Sequence, residues 1–190
     1  ISMRTLLLFC LGLAAAADSS LISPMQLKIL AGADEAAKKP VKAELVGRVK
    51  QLLAAGKRPA AVSGLKDADP KVRYWTTWLI ADAGAPDFGA EIAPLLNDPD
   101  SDCRKEALWY LAEHKIAGHQ ALAAKLLGDT SVGVRKEAAF YLGAVNAREY
   151  SADIAPLLDD PQTRGMARGV LDQWTGTADA LSLSAPAPIP

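Results

Sequence analysis

Leu127-Gly128-Asp129-Thr130-Ser131-Val132-Gly133-Val134-Arg135-Lys136-Glu137-Ala138-Ala139-Phe140-Tyr141-Leu142-Gly143 reads as a turn followed by an amphipathic helix. Asp and Thr supply turn and capping chemistry, because their short oxygen-bearing side chains accept from helix-start amides. Val134, Ala138 and Leu142 then recur four apart and mark a buried stripe. The decisive observation is that this passage repeats. Leu65, Leu96, Leu127 and Leu158 are each 31 residues apart, as are Asp67, Asp98, Asp129 and Asp160, and Arg73, Arg104 and Arg135. A fixed period between 20 and 50 residues signals stacked supersecondary units, each unable to bury its apolar face alone.

Every unit divides into two helices. Glu91-Ile92-Ala93-Pro94-Leu95-Leu96 and Asp153-Ile154-Ala155-Pro156-Leu157-Leu158 read as ends of first helices, and the Arg-bearing segments as second helices. No run of alternating β-branched residues argues for a strand. Upstream, Pro24 to Lys38 and Val41 to Ala55 read as two helices divided at Pro40, the first started by Ser23-Pro24. They are expected to form a degenerate repeat capping the open end of the stack. At the other end Asp160 is followed by Arg164 after only four residues, and Gly165 and Gly169 weaken the second helix. Such irregularity suits a terminal, capping unit.

These units resemble HEAT repeats, and in particular the short bacterial version shared with phycobiliprotein lyases. The resemblance rests on the turn Asp followed six residues later by Arg, at Asp67/Arg73, Asp98/Arg104 and Asp129/Arg135, and on Val-Arg-Lys-Glu-Ala-Ala at 134–139. Pro59 stands where such repeats often carry a first-helix proline, whereas Ala90, Ala121 and Ala152 depart from that pattern. The resemblance implies an all-α, right-handed α-α superhelix of about four helix pairs over 56–176, preceded by a linker and helical cap over 18–55. It also implies that the second helices line the concave face.

The Asp and Arg columns read as a structural ladder: each carboxylate accepts from helix-start amides and from an Arg of its own or the next unit. The column Trp78, Trp109 and Phe140 reads differently. At about 100° per residue Phe140 lies roughly 200° from Ala138, so it points away from the buried stripe. Tyr74, Lys105 and Lys136 flank the column on one side, and Trp75, Glu106 and Glu137 on the other. Three such rings form an apolar patch of several hundred Å², about the size at which exposed apolar surface marks binding. Equally, rings on adjacent helices can pack on each other and tighten the stack.

Catalytic chemistry finds no anchor: the chain has no nucleophile elbow, no glycine-rich phosphate loop and no paired carboxylates in a cleft. Asp98, Asp100 and Asp102 begin like a calcium loop, but Cys103 stands where that loop needs Gly and Trp109 where it needs Glu. Cys103 aligns with Val72 and Val134 and reads as a small core residue. His114 and His119 lack metal-ligand spacing. No cofactor or metal is therefore expected. With 21 basic against 22 acidic residues and a net charge of −1, the chain offers no concentrated positive field for nucleic acid.

The N-terminal stretch places Arg4 before Leu6-Leu7-Leu8-Phe9-Cys10-Leu11-Gly12-Leu13 and then Ala14 to Ala17, the order of a secretory signal peptide. Residues 1–17 are thus expected to be removed before Asp18, giving a periplasmic or secreted product. The apolar run falls short of the ~20 residues of a lasting membrane helix, so no stable insertion is expected. Cys103 would be the remaining thiol, leaving the hydrophobic core rather than a disulfide to hold the domain. Residues 177–190, ending Ala185-Pro186-Ala187-Pro188-Ile189-Pro190, read as a disordered tail.

The leading functional expectation is a non-catalytic scaffold of the bacterial envelope that binds a protein or peptide through its aromatic groove. A chromophore- or cofactor-attachment factor resembling phycobiliprotein lyases is the first alternative. A purely architectural subunit is the second.

Overall fold

The computed structural model describes residues 20–175, and every regular element among them is helical. The expected signal segment, its cleavage point and the proline-rich tail lie outside the described residues.

Helix α1 (Pro24–Ala31) begins as the sequence requires. Ser23 Oγ accepts from the Gln26 amide at 3.3 Å, and Gln26 Oε1 accepts from the Ser23 amide at 2.9 Å, a reciprocal capping box with Pro24 at the first helical position. Helix α2 (Glu35–Ala54) corrects the expected boundary, since Pro40 lies inside it. The break between the two helices falls at Gly32–Asp34 instead, where Asp34 Oδ1 accepts from the amides of Ala36 and Ala37. A proline in the second turn forfeits one hydrogen bond, which this cap and the packing of Val41, Leu45 and Val49 offset.

Four helix pairs follow. The first is α3 (Arg58–Ala61), extended by a 3-10 turn at Ser63–Lys66, with α4 (Pro70–Asp82). The second is α5 (Gly89–Ile92), extended by Ala93–Asn97, with α6 (Ser101–Glu113). The third is α7 (Gln120–Leu126) with α8 (Val132–Ala144). The fourth is Arg148–Tyr150, α9 (Ser151–Ile154) and the 3-10 turn Ala155–Leu158, with α10 (Arg164–Thr175).

The first helices are more broken than their sequences suggest. Units two and four tighten into 3-10 geometry where Pro94 and Pro156 lack an amide donor, and the first unit tightens at the same register with Ser63 in place of proline. The proline-free α7 runs without interruption.

The second helices keep the period, α4, α6 and α8 starting 31 residues apart, whereas α10 starts 32 residues after α8. They end alike as well. Gly84, Lys115 and Asn146 occupy one repeat position with φ of 70°, 51° and 55°. Beyond them the amides of Ala85, Ile116 and Ala147 reach back to Ile80, Leu111 and Leu142, closing a Schellman turn on each helix.

The Asp and Arg columns form an inter-unit ladder. Arg73 donates through Nε and Nη2 to both oxygens of Asp98, each at 2.7 Å, while its Nη1 donates to the carbonyl of Asp67 at 2.8 Å. Arg104 repeats this with Asp129 at 2.8 and 2.9 Å and the Asp98 carbonyl, and Arg135 with Asp160 at 2.8 Å and the Asp129 carbonyl. Each carboxylate also accepts from the amide two residues on, at Asp69, Asp100, Ser131 and Gln162. One guanidinium thus ties its own turn to the next unit's turn. Burial raises the Asp98 and Asp129 carboxyls, but the Arg hydrogen bonds and charges outweigh it and hold both below the ordinary carboxylate range. In the last unit Arg164 keeps only the backbone half of the role, donating to the Leu158 carbonyl at 2.7 Å.

Two apolar clusters fill the stack. One joins Leu21, Ile22, Leu30, Val41, Leu45 and Val49 of the N-terminal cap to Trp75 and Leu79 of α4. The other runs from Leu65 to Trp174 and contains the stripe Val134, Ala138 and Leu142, all fully buried. Cys103 is buried in the corresponding place on α6, with Sγ against the Pro70 carbonyl.

Candidate docking groove on the second helices

Trp78, Trp109 and Phe140 stand at the same register on α4, α6 and α8, and all three are half-buried. Trp78 and Trp109 wall one pocket of about 240 Å³, completed by Tyr74, Lys105, Glu106 and Glu137. The helical spacing explains the grouping. Tyr74 and Trp78 are four apart, Lys105 and Trp109 four apart, and Glu106 and Trp109 three apart, so each set rises on one helix face.

Phe140 is not part of that lining. It packs against the main apolar cluster, so the expected file of three rings is two indoles lining one pocket followed by a ring laid on the core. The column stops there. The one aromatic residue of α10 is Trp174, which is buried in the main apolar cluster.

Trp75 is also corrected. Expected on the groove margin, it is 9% exposed and belongs to the cluster formed with the N-terminal cap. It meets Tyr74 and Trp78 edge-on at 5.2 and 5.6 Å, and Lys42 of α2 places Nζ 5.3 Å from the Trp75 ring and 5.2 Å from the Trp78 ring. The cap covers that side of α4 because α2 is long enough to lie along it. Lys136 is half-buried and lies outside the pocket lining.

Glu106 holds the repeat position of Trp75, and like Trp75 it is enclosed, at 6% exposed. Its carboxyl titrates near 7: burial is the main cause, Lys105 opposes it, and Glu137 and Asp102 add to it. Burial likewise raises Glu137, against Lys105 and Lys136. Tyr74 is raised by burial first and then by the charges of Glu106 and Asp102. Lys105, the one cation of the lining, also pairs through Nζ with the exposed Asp102 at 3.2 Å. The pocket therefore combines two indole walls with two carboxyls that exceed the local positive charge.

Sequence reasoning missed the tyrosine pins behind this face. Tyr110 and Tyr141 are fully buried at one repeat position, donating to the carbonyls of Ala85 and Ile116 respectively, and Tyr110 also accepts from the Phe88 amide at 3.1 Å. Each hydroxyl ties a second helix to the turn that closes the previous unit. The column of tyrosines 31 apart was the available signal.

The calcium-like triplet has structural duties. Asp98 holds Arg73, Asp100 caps α6, and Asp102 pairs with Lys105. Among the described residues no group of three or more His, Cys, Asp or Glu side chains gathers to hold a metal ion. No helix among them is long and apolar enough to cross a membrane.

Comparison with known proteins agrees with this architecture. Residues 58–124 match the family model for HEAT repeats. No curated protein matches the chain. Among solved structures, an engineered protein from a structural genomics consortium is 22% identical, with 79% of this chain and 78% of that one covered at a TM-score of 0.51. A designed armadillo repeat protein in complex with the peptide (KR)4 is also 22% identical, covering 79% and 80% at a TM-score of 0.52. At that identity the likeness speaks for the fold alone. Stacked helix pairs and the 31-residue period give the chain an all-α solenoid fold, and over residues 58–124 that solenoid is similar to HEAT repeats.

Proposed function

We propose that the chain is a non-catalytic docking module that receives a segment of another protein across the second helices α4, α6 and α8. The observation that carries this reading is the pocket walled by Trp78 and Trp109. Two large indoles held half-buried by the stack offer apolar area at little cost in side-chain entropy, the usual anchor of a protein interface. At about 240 Å³ the pocket is smaller than the ~300–1,000 Å³ typical of small-molecule sites. That favours the end of one side chain over a flat chromophore. The peptide on the designed armadillo neighbour belongs to that protein, and illustrates that a solenoid of this shape can carry one. The periplasmic or secreted location belongs to the same proposal and rests on residues 4–17 of the sequence alone.

Selection of displayed peptides against the full chain, without compositional bias, tests the reading. Selected peptides should bind Trp109→Ala at least tenfold more weakly, with helical content retained by circular dichroism. Peptides that bind this variant as well as the parent would remove the groove from the account.

A further inference from the structure

Among the described residues two acids are buried, Asp98 and Glu106, and their treatment differs. Asp98 is gripped by both arms of Arg73 and by a backbone amide. Glu106 accepts no hydrogen bond and joins no ion pair among the described residues, although it is as deeply enclosed and lines the pocket. Glu137 beside it is equally unpaired, and Lys105 pairs with Asp102. A buried carboxylate without a cation is costly, and a fold that supplies Arg to its other buried acid leaves this one open toward a cavity.

The walls fit the same ligand chemistry. Indole faces attract ammonium and guanidinium groups, and Trp78 already receives an internal cation, Lys42, on its α2 side. Resting on the docking reading above, we infer that the pocket between α4 and α6 is a receptor for one cationic side chain, Lys or Arg, projected by a basic segment of the partner protein. Glu106 and Glu137 supply the opposing charge, and Trp78 and Trp109 sandwich the stem or head group. The buried carboxyl then makes the interaction pH-dependent. Facing Glu106 are Asp102 and Lys105 of its own helix, Tyr74 of α4, and Glu137 of α8, itself beside Lys136. A cation favours the ionised carboxylate, so binding expels the proton that Glu106 holds below about pH 7. The ionised fraction of a group titrating there rises about tenfold from pH 6 to pH 8, and affinity follows it in the same direction.

The test uses the full chain with capped tetra-arginine and tetra-lysine peptides, and tetra-citrulline as the neutral match in shape. Calorimetry gives affinity, and the indole cross-peaks of an amide correlation spectrum give location. The basic peptides should bind and move the Trp78 and Trp109 indole signals while sparing Trp174, and tetra-citrulline should not bind. Affinity should rise about tenfold between pH 6 and 8, and the combined Glu106→Gln, Glu137→Gln variant should lose at least tenfold and most of the pH dependence. Asp153→Asn, which removes an exposed acid outside the pocket, should leave binding unchanged. Equal binding by tetra-citrulline, undiminished binding by the double variant, an equal loss in the Asp153 variant, or silent Trp78 and Trp109 signals would each overturn the inference. Unbiased peptides that depend on Trp109 yet lack basic residues would remove the cation receptor and leave the docking groove standing. Selected peptides indifferent to Trp109 would remove both.

Discussion

Replacing Glu106 by Gln should stabilise the protein at pH 8 and do little at pH 4. The carboxyl is pushed up to about 7 in the folded chain against an ordinary value of 4.5. Below 4.5 both folded and unfolded chains hold the proton, and the neutral buried group is tolerated. Between 4.5 and 7 the unfolded chain has released its proton while the folded chain retains it, so stability falls as pH rises. Above 7 the folded chain carries the buried charge and the decline from this group levels off. At about 1.4 kcal/mol per pH unit the full interval corresponds to about 3 kcal/mol, and water at the pocket mouth reduces what is realised to roughly 2 kcal/mol. Gln keeps the shape and has no charge to bury. Urea unfolding followed by circular dichroism at pH 4, 5, 6, 7 and 8, for parent and Glu106→Gln, isolates the effect, because every other titrating group is common to both. The difference between the two should open in favour of the variant by roughly 2 kcal/mol from pH 4 to pH 8. Parallel curves would refute the claim that this carboxyl is buried without a partner.

The ladder makes a graded prediction. Arg104→Met strands Asp129, whose side chain is 7% exposed, and should cost about 3 kcal/mol in urea unfolding. Arg135→Met releases Asp160, at 34% exposed, and should cost under about 1 kcal/mol; equal losses would contradict the account. Because Asp98 and Asp129 are held below the ordinary carboxylate range, their contribution is present above that range and is lost only as pH falls through the lowered values. Asp129→Asn should therefore flatten the acid limb of a stability titration, and an unchanged limb would count against the pairing. Lys115→Gly should raise the melting temperature, gaining up to about 1 kcal/mol, since Lys115 holds the left-handed φ of 51° that Gly84 adopts without a Cβ. A lowered melting temperature would show that the Lys side chain contributes more than its backbone strain costs.

The period carried most of the fold. The ladder of Asp98, Asp129 and Arg104 is legible in the sequence, because a hydrogen bond that recurs every 31 residues needs the same residue type each time. The partner choice, Arg to the next unit's Asp, depends on how units stack and is absent from any one of them. Proline alone does not set a helix boundary. Pro40 sits inside α2 because the Asp34 cap and three buried aliphatic residues outweigh one missing donor.

The groove was legible as a column and misjudged in depth. A helical projection sorts side chains into in and out, but flanking helices cover the sides as well. Trp75 was lost to the N-terminal cap, and Glu106, one repeat later at the same angle, was carried inward between neighbouring helices. A charged residue in the register of a tryptophan was the visible clue. The aromatic row ends at Phe140 because the last unit has no aromatic residue in that register, Leu171 standing 31 residues on.

The most direct test of the docking groove is a cocrystal structure of the full chain with a peptide selected against it. The account predicts a segment crossing α4 and α6, with one of its side chains between Trp78 and Trp109. A peptide seated on the first-helix segments 58–66, 89–97 and 120–126, with that pocket empty, would contradict it.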